Sequence, residues 1–446
     1  METDMTVGKP GKLILDFTIP IFIGNIFQQL YSMVDTIIVG KFVGNEALAA
    51  VGSCGTLVFL ILGFLMGLTA GFTVVTAQHF GAGNMKAMRQ SVASASVLSA
   101  VISILMTILS MVFMRQILHL MNTPEDIYAE AYSYIMIICG GIVAQVLYNL
   151  LASILRALGN SKIPLYFLII AALLNIVLDL VLIVGFHQGA AGAAWATVIS
   201  QGISGILCLI YIIKAVPELH LKLEDWHMNW RLAGWQMRIG IPMAFQFSIT
   251  AIGTIMVQTA LNTLGSLAVA SFAAATKIEQ VVTQAYMAMG TTMATYCAQN
   301  TGAGKMDRVR KGFRSATIMV SIYAVVTGVL LIFFGKYLTI LFVKDNLTQV
   351  MGMVDIYLRC VSLLFIPLAI VIVYRSGIQG MGFGLLPMMA GVAELVGRGV
   401  VSVISGKMGS YTGACLASPV AWVLAGSLLL AMYFYIMKKY EGQKAK

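Results

Sequence analysis

The chain contains the stretch Ala77-Gln-His-Phe-Gly-Ala-Gly-Asn-Met-Lys-Ala-Met-Arg89 and repeats it as Ala298-Gln-Asn-Thr-Gly-Ala-Gly-Lys-Met-Asp-Arg-Val-Arg310. The two copies align without gaps at an offset of 221 residues, and seven of their thirteen positions are identical. The same kind of offset recurs elsewhere, pairing Ile19-Pro20 with Ile241-Pro242, Gly159 with Gly382, Pro164 with Pro387, and Gly192-Ala193 with Gly413-Ala414. We therefore expect two related halves.

The composition assigns the chain to a membrane. Of its 446 residues, 59% are hydrophobic and only 10% are charged, with a mean hydropathy of +0.90. A water-soluble domain cannot hide that much apolar surface. A spanning helix needs roughly 20 mostly apolar residues, so this length leaves room for about twelve spans.

The short polar breaks divide the chain into two sets of six spans, and the even number gives both sets the same topology. We predict an all-α polytopic membrane protein of twelve transmembrane helices in two pseudo-symmetric six-helix bundles, with a central cleft. The N-terminal half is residues 1–214, the cytoplasmic linker 215–231, and the C-terminal half 232–446. The predicted spans are 13–40, 47–78, 90–114, 126–152, 162–187, 190–214, 235–264, 267–300, 312–337, 350–378, 384–407 and 411–437.

Lysine and arginine are distributed unevenly between the two sides of the predicted membrane. Twenty lie in the termini, the linker and the loops on the same side, whereas five (Lys41, Arg115, Lys336, Lys344 and Lys407) lie in the opposite loops. By the positive-inside rule, both termini and the linker are cytoplasmic. The net charge of +10 therefore reports topology and lipid contact, and we expect no nucleic-acid partner.

Three predicted spans carry buried polar residues at a common depth. Asn175 and Asp179 are four residues apart in span 5, so they share one face of the helix. Asp35 in span 1, Asp179, and Thr197 in span 6 lie about 7, 12 and 10 Å from the outer ends of their spans. A carboxylate within hydrocarbon is costly, so such a residue is a functional hypothesis by default.

These groups are hard oxygen donors of the kind that surround a small cation. We predict that Asp35, Asn175, Asp179 and Thr197 bind sodium, or that the two carboxylates share a proton. The alternative is that Asp179 only forms interhelical hydrogen bonds with Asn175 and Thr197, which is common in membrane bundles. Two acids at matching depth are a costly way to achieve that.

In these features the chain resembles the multidrug and toxic compound extrusion (MATE) transporters over its whole length. The likeness rests on Ile19-Pro20, Val34-Asp35, the Gly81-Ala-Gly83 loop and the spacing of the span 5 and span 6 polar residues. It is closest to the branch with an ion site in the N-terminal half. The resemblance implies drug:cation antiport and a substrate cavity lined in that half by Gln28, Tyr31, Tyr134 and Asn149.

The second half serves as an internal control for the ion site. It has Val257, Arg398, Ser402 and Ser418 where the first half has the four predicted ligands, so we expect ions to bind in the first half only. Span 7 carries Gln246 where another branch of the family has an acid, and we assign Gln246 to the substrate cavity. Glu394 precedes Arg398 by four residues, which predicts a helical ion pair.

Span 8 contributes two further residues to the predicted cavity. Glu279 is a secondary candidate for attracting a cationic drug, because Lys277 lies on another face of the helix. Met287 is the other predicted cavity residue of this span, because methionine side chains can repack around different apolar ligands.

Pro20 weakens span 1 because proline removes a backbone hydrogen bond. We predict that ion loading at Asp35 and Asp179 favours a bent span 1 and expels substrate from the N-terminal cavity.

Other classes of protein are less consistent with the sequence. A lipid-linked precursor flippase shares a related architecture but should line its cleft with several Arg or Lys. A membrane enzyme would need a reactive cluster, whereas the five histidines are dispersed in loops. The Gly-Ala-Gly loops lack the Lys-Ser/Thr of a phosphate loop. We predict a transporter of small organic molecules with no cofactor besides its coupling ion, and, since nothing demands an oligomer, a monomer.

Overall fold

The computed structural model describes residues 4–121, 123–341 and 347–444, and Lys344 of the predicted outer loops lies outside them. These described residues form fourteen α-helices and no strand. The helices are α1 (Pro10–Phe42), α2 (Asn45–Gly81), α3 (Met85–Leu120), α4 (Glu125–Gly140), α5 (Ile142–Ala157), α6 (Lys162–Asp179), α7 (Gly189–Ala215), α8 (Trp230–Asn262), α9 (Ser266–Gly302), α10 (Met306–Phe334), α11 (Leu347–Ser362), α12 (Phe365–Gly380), α13 (Leu385–Met408) and α14 (Tyr411–Lys444).

The helices reproduce the twelve predicted spans. In the described part of the chain, nine helical segments are long and apolar enough to cross a membrane on their own. The bent pairs α4–α5 and α11–α12 add two more spans, with bends of 47° and 50°. The twelfth is α9, which is 37 residues long but less apolar, since Lys277, Glu279 and many small polar residues lie within it. The predicted fold class is confirmed.

Two of the spans are broken where the sequence predicted continuous helices. The first break is at Gly141, and the second is at Leu363 and Leu364. Gly141 lies against Val198 of α7 so closely that an added Cβ would overlap the valine side chain. Close helix contact through glycine is typical of membrane bundles and requires no change in hydropathy, which explains why the breaks escaped prediction.

The contacts between helices define two compact units. Unit 1 contains Ile23–Phe247, and unit 2 contains Met5–Phe22 together with the chain from Ser248 onward. Helix α1 therefore begins in unit 2 and continues in unit 1, and α8 begins in unit 1 and continues in unit 2. The division at residues 215–231 stays a prediction; that segment is an irregular connection with short 3₁₀ turns at Pro217–Leu219 and Leu223–Trp226.

Each unit packs an extended segment against its copy of the Gly-Ala-Gly loop. In unit 1 the linker is held by an ion pair of 3.2 Å between Arg89 Nε and Asp225 Oδ2. In unit 2 the backbone N–H of Met5 donates to Gln299 Oε1 at 2.9 Å, and Arg308 donates to the carbonyl of Met5 at 3.0 Å. The repeated loop thus anchors the segment that precedes α1 or α8.

Glycines let α2 and the start of α8 approach closely within unit 1. A Cβ added to Gly67 would lie 2.6 Å from the carbonyl oxygen of Met243 and 2.8 Å from Ala244 Cα. Those atoms belong to the backbone of α8, so they cannot move aside as the end of a side chain could. By contrast, Gly52 of the same helix is exposed and has nothing within 4 Å of its Cβ position.

We therefore expect Gly67→Val to destabilise the protein by about 1–3 kcal/mol, as overpacking does. Thermal unfolding of the detergent-purified protein, followed by size-exclusion chromatography, measures the effect. Gly52→Val is the control and should unfold like the wild type. Equal midpoints for the two variants would contradict the close approach of α2 and α8.

Candidate functional site

The predicted ion site lies entirely within unit 1, at the carboxyl groups of Asp35 and Asp179. The side chain of Asp35 reaches from α1 to within hydrogen-bonding range of Asp179 at the end of α6. Asp179 is 0% exposed and Asn175, one turn earlier, is 1% exposed. The structure therefore joins the polar residues of predicted spans 1 and 5 in one buried cluster.

Helix α6 changes its winding at this cluster. After Asp179 the chain continues as a π-helical turn, Leu180–Gly185, before α7 begins at Gly189. Segments of π-helix are rare and often mark functional sites, because the wider turn redirects side chains. The sequence Leu-Val-Leu-Ile-Val-Gly gave no signal for this change, since every residue before Gly185 is an ordinary apolar residue of a membrane span.

Most polar atoms of the cluster lack hydrogen-bond partners. Within the described residues, both carboxylate oxygens of Asp179, Oδ1 of Asp35 and both amide heteroatoms of Asn175 are buried without a hydrogen-bond partner. Two carboxylates that face each other can satisfy their oxygens only if a proton or a cation lies between them. The chemistry of these residues suits a proton or a small cation, and the ion site predicted from the sequence stays a prediction.

An apolar shell surrounds the cluster and strengthens its electrostatics. Six buried hydrophobic residues from α1, α2, the π turn and α7 pack together, joined by Val34, Tyr134 and Ile176 beside the polar groups. Charges interact more strongly in such surroundings than in water. The buried residues are Ile38, Val39, Ala47, Ile183, Ala190 and Ala193.

Two tyrosines assigned to the cavity lie next to the acids. Tyr31, one turn before Asp35, neighbours that carboxylate together with Gln28 and Gln201. Tyr134 of α4 lies near Asp35, Asp179 and Tyr31. Gln201 was missed by the sequence reasoning, although it follows Thr197 by one helical turn on α7 and that spacing could have identified it.

Three other predicted residues of unit 1 lie on α5, α7 and α8. Thr197 is half-buried on α7, which packs against α6, and its role as a ligand stays a prediction. The side chain of Asn149 donates to the carbonyl of Gln145 in its own helix at 2.9 Å. Gln246 is half-buried in α8 just before the chain passes into unit 2.

In unit 2 the acids have positively charged or hydroxyl partners. The predicted pair is confirmed, since Arg398 Nη2 lies 2.7 Å from Glu394 Oε1. Arg375 of α12, which was not predicted, lies 2.6 Å from the other oxygen of Glu394. The hydroxyl of Tyr357 donates to Glu279, whose carboxylate also interacts with Arg398. Met287 is 55% exposed.

The described residues contain no cluster of side chains suited to a transition metal. Within the residues that the structure describes, no group of three or more His, Cys, Asp or Glu side chains forms a metal site. The pair Asp35–Asp179 with Asn175 is an oxygen-rich site of low charge, as a monovalent cation or a proton requires.

In the described part of the chain, the spanning helices form two related sets, and one set buries two carboxylates, Asp35 and Asp179, with oxygens that lack hydrogen-bond partners. This combination is typical of membrane transporters. A family model described as MatE matches residues 20–181 and 241–404, and the chain belongs to this family. Each half of the sequence contributes one matched segment. The protein is therefore a multi-pass transporter of the cell membrane.

Relatives and solved structures agree with this assignment. A probable multidrug resistance protein, YpnP of Bacillus subtilis, is 30% identical over 77% of this chain and 76% of its own. An FAD transporter of Shewanella oneidensis is 25% identical over 98% of this chain and 96% of its own. A crystal structure of a MATE protein in complex with MaL6 superposes with a TM-score of 0.92 at 19% identity, covering 98% and 99% of the two chains.

Because the carboxylate oxygens of Asp179 lack hydrogen-bond donors, we predict that Asp179→Asn stabilises the protein in sodium-free buffer. The new amide can donate to Asp35, which replaces a buried like-charge contact by a hydrogen bond worth about 1–3 kcal/mol. We expect a higher unfolding midpoint by thermal size-exclusion analysis.

The matched control is Asp355→Asn, which removes a carboxylate that pairs with Arg359 at 2.8 Å. Its midpoint should stay level or fall. If Asp179→Asn lowers the midpoint as well, the two carboxylates do not face each other without a donor.

Proposed function

We propose that this protein is a secondary active multidrug efflux transporter. It exports organic compounds, cationic or amphiphilic, in antiport against protons or sodium by alternating access. The observation that carries the proposal is the pair of facing carboxylates, Asp35 and Asp179, with no donor between them. Such a pair binds a cation or a proton reversibly, and a gradient of that ion can then drive transport.

The residues of the ion site have separate roles. Asp35 and Asp179 provide the negative charge, while the Asn175 amide oxygen and the Thr197 hydroxyl complete the coordination. The ion drives transport only if it binds one conformation more tightly than the other. Because Asp35 lies on α1 and Asp179 on α6, movement between these helices changes the distance between the carboxylates and hence the affinity for the ion.

The substrate cavity of unit 1 adjoins the ion site. Tyr31 and Tyr134 neighbour the acids, so substrate bound against these rings senses whether the ion is present. Gln28 and Asn149 extend the polar lining of the same unit. Gln246, Glu279 and Met287 are the proposed substrate contacts beyond it, with Glu279 already engaged by Tyr357.

Pro20 is the proposed hinge of α1. It lies in the helix interior, where its ring removes one backbone hydrogen bond. Two residues later, α1 passes from unit 2 into unit 1. A bend at Pro20 therefore changes the direction of the segment that carries Tyr31 and Asp35 while the preceding turns stay packed in unit 2.

Membrane orientation and substrate class follow from charge and from the relatives. The excess of Lys and Arg supports a cytoplasmic location of both termini, and we propose a monomer. The name of YpnP supports export of drugs, and the FAD transporter shows that a relative of similar length moves a larger, anionic compound. Membership of the MatE family does not favour a lipid-linked precursor flippase.

The central prediction concerns gradient-driven efflux in proteoliposomes loaded with a fluorescent organic cation. Asp35→Asn and Asp179→Asn should each abolish efflux, because one carboxylate no longer distinguishes the ion-loaded from the empty state. A proton gradient and then a sodium gradient, applied to the wild type, identify the coupling ion.

Asp16→Asn is the matched control, since Asp16 is an exposed acid on the same helix as Asp35. It should transport like the wild type. Normal efflux by both site variants would refute the assignment of the ion site.

The hinge predicts that Pro20→Ala slows efflux by about tenfold or more while leaving ion binding intact, since a barrier of 1.4 kcal/mol changes a rate tenfold. The extra backbone hydrogen bond stiffens α1 where it crosses between units. Pro419→Ala is the control, because Pro419 interrupts α14 within unit 2. Wild-type rates in Pro20→Ala would rule out the hinge.

A further inference from the structure

Unit 2 repeats the architecture of the ion site with a different set of charges. Three buried positions of α4 (Ile127, Ala131 and Ile135) recur in α11, 223 residues on, as Val350, Val354 and Leu358. At the same offset Tyr134 corresponds to Tyr357, and Asn175 of α6 corresponds to Arg398 of α13. The tyrosine beside the acids of unit 1 thus has a counterpart, and the amide has become a guanidinium.

The space for this guanidinium comes from a second replacement. Aligned on Pro20 and Pro242, Tyr31 of α1 corresponds to Gly253 of α8. A Cβ added to Gly253 would lie 2.5 Å from Arg398 Nη1 and 3.1 Å from its Cδ. The Arg398 side chain therefore lies directly against α8, where unit 1 has the tyrosine that adjoins Asp35.

The two clusters differ in net charge. Unit 1 brings together two acids, Asp35 and Asp179, and among the described residues no base lies against them. In unit 2, Glu394 bridges Arg375 and Arg398, and Glu279 interacts with Arg398. Two arginines balance two glutamates, so this cluster is neutral without any exchangeable ion.

The arginines of unit 2 are largely shielded from solvent and have no arginine counterpart in unit 1. The side chain of Arg398 is 7% exposed and that of Arg375 is 18% exposed. Their counterparts at the 223-residue offset in unit 1 are Asn175 and Ala152, and Glu394 replaces Ala171. Three charged residues have thus been introduced together where unit 1 has an amide and two alanines.

We propose that Arg398 is a tethered cation that permanently fills the second, repeat-related ion site. This inference rests on the proposed function, because it explains why only unit 1 exchanges ions. Glu394 holds the guanidinium, Glu279 lies close enough for its charge to act on Arg398, and Gly253 leaves room for the side chain. A free cation cannot take the place of the guanidinium beside Glu394 without displacing Arg398, so Arg398 determines that unit 2 takes no coupling ion.

The proposal is tested by chemical rescue with guanidinium chloride at millimolar concentration. Arg398→Ala leaves two glutamates with one arginine and a cavity of the size of the lost group. Free guanidinium should bind there and raise the unfolding midpoint of the purified variant saturably, by about 2 °C or more. The wild type should show no saturable rise, and tetramethylammonium chloride at the same ionic strength should not replace guanidinium.

Arg359→Ala is the matched control. Arg359 also pairs with an acid four residues away, at 2.8 Å from Asp355, but its side chain is 57% exposed. Its removal opens no buried site, so guanidinium should have no saturable effect. An equal response of both variants, or none in Arg398→Ala, would overturn the proposal.

A double variant tests the proposal even if Arg398→Ala alone cannot be recovered from membranes. Glu279→Gln/Arg398→Ala removes one charge of each sign, so it should be recovered and should not respond to guanidinium. Failure to recover the double variant would contradict the charge balance. The binding measurement needs no transport: Asp35→Asn should leave the response of Arg398→Ala unchanged, which separates this proposal from the proposed antiport.

A transport measurement connects the tethered cation with coupling. In proteoliposomes, Arg398→Ala should take up a second coupling ion, so the Hill coefficient of the ion dependence should rise from about 1 to about 2. Added guanidinium should restore the value of the wild type. An unchanged coefficient in a variant that binds guanidinium would refute the role of Arg398 in limiting the ion sites.

Discussion

The contact between two carboxylates in an apolar interior is the constraint on which the rest of this structure depends. Two like unit charges 4 Å apart repel by about 4 kcal/mol at an effective dielectric constant of 20. Asp35 and Asp179 have no donor to offset that repulsion. A proton or a cation between the two carboxylates would remove that repulsion, which is the basis of the proposed ion site.

The two units show that this fold tolerates a different solution to the same problem. The apolar residues that fix α4 and α11 correspond position by position, so the backbone frame is retained. The charged residues do not correspond, because unit 2 has two arginines beside its glutamates and unit 1 has no such base beside its described acids. In our proposals, the shared frame carries an exchangeable charge in one unit and a fixed charge in the other, so function diverges while the fold persists.

Much of this arrangement could be predicted because it depends on short-range patterns. The spans follow from apolar segments of sufficient length, and the pairs Asn175–Asp179 and Glu394–Arg398 follow from the spacing of one helical turn. The π turn after Asp179 could not, since it requires only a shift of backbone hydrogen bonds within an apolar segment. Arg375 was missed because its partner is on another helix, and a single sequence gives no helix-to-helix distances, whereas the spacing of Gln201 from Thr197 could have identified Gln201.

Helices α1 and α8 each begin in one unit and continue in the other. This could not be predicted, because a single sequence gives no distances between helices, yet it is the feature that matters most for the mechanism. Because α1 begins in unit 2 and carries Asp35 in unit 1, any bend at Pro20 acts on the ion site. When the ion leaves, the carboxylates need replacement donors. The amide of Asn175, buried without a partner, and the hydroxyls of Tyr31 and Tyr134 are the groups placed to provide them. In the proposed antiport, release of the ion and reorientation of these tyrosines are one event, and this event links the ion to the substrate.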